Sequence, residues 1–148
     1  MSATKEEIDA VLQNGQTIDI TTTGRRSGGP RRLEIVFHNV GGRTYISGMP
    51  FPKRRSWLVN LDADPRFTFH LKGKVRADLP ATARAIDEEP ERRAILPHIA
   101  RVWGRKDIEE MVRHSPLIEV TIDRNGRNKV EGPASVGDPS GSSIDLNS

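Results

Sequence analysis

Apolar and polar positions alternate in short stretches along most of the chain, and elsewhere they recur at helical spacing. Thr4–Asn14 places Ile8, Val11 and Leu12 on one face, which predicts a short helix that Gly15 would end. In "TIDITTT", Ile18, Ile20 and Thr22 face one way and Asp19, Thr21 and Thr23 the other, a β-branched strand pattern. "GRRSGGP" reads as a turn, and "RRLEIVFHN" alternates again with Leu33, Ile35 and Phe37 on one side. A turn at Asn39–Gly42 followed by "RTYISGM" predicts a hairpin. "PFPKRR", with prolines at 50 and 52, cannot be a regular strand. "SWLVNLDADP" predicts a helix capped by Ser56, with Trp57, Leu58 and Leu61 at helical spacing and Pro65 ending it. Phe67, Phe69 and Leu71 share one face of a further strand, which "KVRADL" continues beyond a break near Gly73. Ala81–Trp103 reads as helical, with Pro90 starting a second helix and Pro97 kinking it. Its apolar stripe is Ile95, Ile99, Val102 and Trp103. Another short helix over Asp107–His114 precedes a last strand that carries Ile118, Val120 and Ile122.

Strands joined by turns too short for parallel crossovers, with helices inserted between some of them, predict an α+β, mainly β fold: an antiparallel sheet or barrel with a helical cap. One domain over residues 1–124 is expected. Residues 125–148 are rich in Gly, Ser, Pro and Asp, hold little apolar surface to offset ordering entropy, and read as a flexible tail.

Composition narrows the chemistry. The chain has no cysteine, so disulfides, thiolate zinc sites and a cysteine nucleophile are excluded. It has no apolar run long enough to span a bilayer, and its N-terminus has no apolar signal core, so a cytoplasmic protein is expected. Three apolar residues make the first helix at most a weak peripheral membrane anchor. The net charge is only +3, but the positive residues cluster. Arg25, Arg26, Arg31 and Arg32 form one group, and Lys53, Arg54 and Arg55 another. Segregation of this kind points to a local anion site more than to a generally basic surface.

A glycine-rich turn exposes backbone N–H groups, and guanidinium groups fit phosphate or carboxylate in a bidentate way. The second cluster leads into a helix N-terminus, which also favours an anion. Two basic loops of this kind suit the ends of one elongated polyanion; the plainer reading is two solvated charged loops. Trp57 reads as core, Asn60 as a surface amide, and Ser47–Gly48 as a place where a flat ring could lie against a strand. His38, His70, His98 and His114 show no metal-ligand spacing, so no metal is expected. Neither a Walker loop nor a dinucleotide fingerprint is present.

"TTTGRRSGGPR", followed by "KRRSWLVNLDADP", resembles the deazaflavin-dependent nitroreductases, also called F420H2-dependent quinone reductases. The likeness runs from about Ile18 to Leu71. It implies a flavin-reductase-like split β-barrel of antiparallel strands with peripheral and capping helices. It also implies the deazaflavin coenzyme F420, whose tail bears a phosphate and a polyglutamate chain. By position, Arg25, Arg26, Ser27, Gly28 and Arg31 match the family's phosphate-contacting turn. Ser47 and Gly48, with Ile46 and Met49 beside them, match strand residues along the deazaflavin. Lys53, with Arg54 next to it, matches a basic position, and Ser56, Trp57 and Asn60 match the helix that closes the pocket. The resemblance implies hydride transfer from the reduced coenzyme to an electron-poor substrate such as a quinone, nitro compound or activated alkene. Ser47 is the catalytic candidate, near the reactive carbon. The family often carries a lysine where Gly48 stands, a contact that Lys53 or Arg54 would then supply. Tyrosines that line the substrate pocket in the nitroreductase branch correspond here to Val36 and the "VWGR" segment, which makes Val36 and Trp103 the substrate candidates.

Two other readings fit the same loops. One is a split barrel holding FMN or haem. The other is a small module that binds RNA or an acidic partner, for which only Phe51 and Trp57 offer interleaved aromatics. The reductase reading expects a small-molecule substrate, no nucleic acid, no integral membrane contact, and a monomer or homodimer.

Overall fold

The computed structural model describes residues 3–123; the reading of 125–148 as a flexible tail lies outside the described residues. The elements are α1 (Lys5–Leu12), β1 (Gln16–Thr23), β2 (Pro30–Val40), β3 (Arg43–Ser47), α2 (Ser56–Ala63), β4 (Arg66–Lys72), β5 (Arg76–Ala85), α3 (Glu89–Trp103), α4 (Ile108–His114) and β6 (Leu117–Ile122). The six strands close into an antiparallel barrel in the order β1-β2-β3-β6-β5-β4. Closure removes the free edges that an open sheet would expose.

Alternation along the strands decides what fills the barrel. Ile18 and Ile20 of β1, Phe37 of β2, Ile46 of β3, Phe69 of β4 and Ile118 of β6 are fully buried in one cluster. Phe37 and Phe69 meet edge to face with ring centroids 5.2 Å apart. Ile8 of α1 joins this cluster, as do Trp57, Leu58 and Leu61 of α2. Thr4 fixes the start of α1 through a reciprocal capping box with Glu7. A second apolar cluster lies outside the barrel, where Tyr45 and Leu117 pack against Ile86, Ile95, Leu96 and Ile99 and against Met111 and Val112 of α4. The helical cap is therefore α3 and α4. No helix among the described residues is long and apolar enough to cross a membrane.

Three details differ from the sequence expectation. Residues 76–85 are not a continuation of β4: β5 folds back along it, pairing His70 with Asp78 and Phe67 with Ala81. Ala81–Ala85 is strand and not helix, because it is paired on both sides, by β4 and by β6. The N-cap of α2 is Arg55, with no side-chain cap, and Ser56 is the first helical residue. Pro90 does sit in the first turn of α3, where its missing N–H costs nothing, and Pro97 lies inside one continuous helix. The β2–β3 turn is made by Gly41 and Gly42, both at positive φ, as a tight two-residue hairpin requires.

Candidate functional site

The β1–β2 turn holds itself together internally. The N–H of Gly24 donates to the Gly29 carbonyl at 2.7 Å, and the N–H of Gly28 to the Gly24 carbonyl at 2.8 Å. Gly28 has φ 74°, a left-handed conformation that side chains rarely adopt, and the space above it is open. Ser27 Oγ accepts from the Gly29 N–H at 3.1 Å and from Arg31 Nη2 at 3.2 Å. The backbone N–H groups of Arg26 and Ser27 have no acceptor among the described residues.

Asn60 joins this turn to α2. Its Oδ1 accepts both the backbone N–H of Arg25 (3.2 Å) and Arg25 Nη1 (2.9 Å), and its Nδ2 donates to Thr22 Oγ1 at 3.2 Å. Arg25 Nη1 also reaches the Ser56 carbonyl at 3.5 Å. Far from being a surface amide, Asn60 is 5% exposed. Its place on the buried face of α2, one turn after Trp57, was the available signal. Trp57 is core, as its spacing suggested.

The basic residues divide into committed and uncommitted ones. Arg25, Arg26 and Arg31 form no ion pair among the described residues, nor does Lys53. Arg32 pairs with Asp19 at 2.9 Å. Lys72 and then Arg32 hold the carboxyl of Asp19 below the usual carboxylate range. Arg54 grips Asp62 with two nitrogens (2.6 and 2.9 Å) and reaches Asp87 at 3.2 Å, so it is not free to replace a missing phosphate contact. Arg55 lies over the Phe51 ring at 4.3 Å.

The end of β3 is closed more tightly than expected. Ser47 is 2% exposed, and its hydroxyl donates to the Pro116 carbonyl at 2.6 Å. A Cβ at Gly48 would lie 3.1 Å from Pro116 Cγ, so the glycine admits a proline beside the strand. Ile46 points into the barrel, and Met49 is exposed with Arg105 Nη1 2.7 Å from its sulfur.

On the outer face of β2, Val36, His38 and Val40 form one side of a groove of about 570 Å3 whose other side is His98, Ile99 and Val102 of α3. Trp103 reaches it through His38, with the two rings edge to face at 5.2 Å. His38 is 3% exposed, and its Nε2 is buried without a partner among the described residues. The structure thus brings Arg25, Arg26, Ser27, Gly28, Arg31, Ser56 and Asn60 together. Val36 and the Trp103–His38 pair form a separate face, and Lys53 and Arg54 line a different cavity.

A family model described as F420H(2)-dependent quinone reductase matches residues 2–128. Among solved structures, a conserved hypothetical protein from Mycobacterium tuberculosis is similar with a TM-score of 0.61 at 18% identity, over 84% of this chain and 83% of that one. An F420-H2 dependent reductase is similar with a TM-score of 0.53 at 22% identity, over 71% and 93%. The haem-storage protein HutZ from Vibrio cholerae gives 0.56 at 14% identity, over 81% and 88%. At these identities the solved structures establish the barrel fold.

Proposed function

The chain belongs to the F420H(2)-dependent quinone reductase family, and on that premise we propose that it reduces an electron-poor organic ring compound bound in the Val36 groove. A quinone, a nitro compound and an activated alkene share the necessary chemistry. The enzyme is an F420H2-dependent reductase, and its coenzyme is F420.

The observation that carries the reading is the double hydrogen bond from Arg25 to Asn60, which joins the arginine turn to α2. The residues suit the phosphate end of F420. Three guanidinium groups there lack a carboxylate, two N–H groups lack an acceptor, and the space over Gly28 is open. The hydride would come from the reduced deazaflavin of a coenzyme held by this turn. Arg26 and Arg31 would hold the phosphate, while Asn60 orients Arg25. Ser47 acts as a positioning residue, because its bond to Pro116 fixes the end of β3. Val36 and the Trp103–His38 pair shape an apolar surface that keeps water from the reacting face.

Titration of F420 into the protein, followed by fluorescence, tests this. The double variant Arg25→Glu, Arg31→Glu is expected to weaken binding at least about a hundredfold, since each charged hydrogen bond contributes about 1.5–3 kcal/mol. An unchanged dissociation constant removes the site. Val36→Trp, which fills the groove, is expected to raise KM for a quinone severalfold while F420 affinity is kept. Parallel loss of both would place Val36 against the cofactor instead.

A further inference from the structure

The outer face of the barrel carries a hydrogen-bonded chain of three side chains from three strands. Thr21 of β1 places its Oγ1 2.7 Å from His70 Nε2, and His70 Nδ1 lies 2.7 Å from Asp78 Oδ1. The register brings them together. Thr21 pairs with Thr68 and Asp19 with His70 across β1 and β4, while His70 pairs with Asp78 across β4 and β5. Ile20 and Phe69, between them, point into the barrel, so Thr21, His70 and Asp78 project outward. Thr22 turns the other way, to Asn60.

The bonds fix the tautomer. A carboxylate can only accept, so the proton of the neutral imidazole sits on Nδ1 and points to Asp78. Nε2 is then an acceptor, and the hydroxyl of Thr21 is the donor. A hydroxyl that donates to an imidazole nitrogen, with the opposite N–H held by a carboxylate, is arranged as an activated nucleophile. Burial divides the roles. His70 is 7% exposed, which holds its ring in place, whereas Thr21 is only half-buried. Positive charge stands beside the hydroxyl. Arg32 is the cross-strand partner of Thr21 on β2. Its Nε is held by Asp19 at 2.9 Å, and its two Nη nitrogens make no bond among the described residues. They are the cationic donors that the register sets beside an oxyanion formed at Thr21. Neither the Val36 groove nor the cavity at Lys53 and Arg54 is lined by these residues.

We propose that Thr21, His70 and Asp78 form a second catalytic site, which takes the acyl group of a small activated ester and hydrolyses it. Thr21 Oγ1 attacks the ester carbonyl carbon, and its proton passes to His70 Nε2. Collapse of the tetrahedral adduct breaks the bond to the leaving alcohol, which takes that proton, and the acyl group stays on Thr21. Water, giving its proton to His70, then attacks the acyl carbon. The carboxylic acid leaves, and the proton returns to Thr21. No oxidation or reduction occurs, so the site works without the coenzyme. Asp78 is a positioning residue that keeps Nδ1 protonated and Nε2 facing Thr21.

The test uses the full chain, without coenzyme, and 4-nitrophenyl acetate as the probe. It reads 4-nitrophenolate release and, on acid-quenched protein, the position of the acetyl group by peptide mass mapping. The wild type is expected to turn over and to carry the acetyl group on Thr21. Thr21→Val, which removes the hydroxyl and keeps a branched side chain, is expected to lose that label and to release 4-nitrophenolate at least about a hundredfold more slowly, as is His70→Gln. Thr21→Ser restores a nucleophile and is expected to restore turnover, with thermal melting as the check that all variants fold. Asp78→Asn is expected to lower kcat at least about tenfold with KM held, and Asp78→Glu to recover part of the loss. A carboxylate that served only the fold would move the melting temperature and leave kcat alone. Turnover by Thr21→Val equal to that of the wild type overturns the proposal, as does an acetyl group found on lysines and never on Thr21.

Discussion

Replacing Arg92 with alanine is expected to remove about 4 kcal/mol of folding stability, lowering the melting temperature by about 15 °C. Arg92 is 8% exposed and has no carboxylate partner among the described residues. Its guanidinium donates instead to four carbonyls: Nε to Val112 at 2.8 Å, Nη1 to Ile86 at 2.8 Å, and Nη2 to Met111 and Ser115. Met111, Val112 and Ser115 lie at the end of α4, where helix carbonyls run out of N–H donors. One side chain therefore satisfies acceptors from two separate segments and brings positive charge to the negative end of a helix. Burial pushes its pKa down, with Asp87 partly opposing, and arginine remains charged throughout the ordinary pH range. Removal strands several buried acceptors at once, each at about 1–3 kcal/mol less whatever water recovers. Arg92→Lys should recover only part of this, because a single ammonium cannot span the fork. A loss below about 1 kcal/mol for Arg92→Ala in denaturant or thermal unfolding would show that water replaces the guanidinium at little cost.

Arg92 also marks where side-chain pattern stops being informative. It stands in "EPERRAIL" among charges that read as a solvated helix face, and its partners are backbone carbonyls brought up by the fold. The strands were legible for the opposite reason. Ile18 and Ile20, Phe67 and Phe69, and Ile118 and Val120 alternate with polar neighbours, and burial on one face requires that period. Ala81–Ala85 was not legible, because alanine favours helix locally and only pairing with strands on both sides overrides that preference. The candidate site was legible as two basic motifs in one order. That the first meets the second through Asn60, while Arg54 turns away to Asp62 and Asp87, depends on contacts between residues far apart in the chain.

Acidification from pH 7 to pH 4 is expected to cost the protein about 3 kcal/mol through His38 alone. Burial lowers the pKa of this ring from 6.5 to about 4. Its Nε2 has no acceptor among the described residues to receive a proton's hydrogen bond, and its ring stacks edge to face on Trp103. The unfolded chain takes up a proton near pH 6.5, the folded one only near pH 4. Between those values the unfolded state holds more protons, so stability falls as the pH falls, and below about 4 the loss is complete. Asp19, Asp64, Glu91, Asp107 and Glu109 are held below their ordinary range by their arginine and lysine partners. They contribute stability that is lost as the pH falls through their own, lower range. Those losses are common to wild type and variant, and they cancel in the difference. His38→Phe keeps a ring against Trp103 and removes the titration. Its denaturant stability should therefore change less between pH 7 and pH 4 than that of the wild type, by about 3 kcal/mol. Equal slopes for the two proteins would mean that His38 is protonated without penalty, which requires the β2–α3 groove to admit water to its ring.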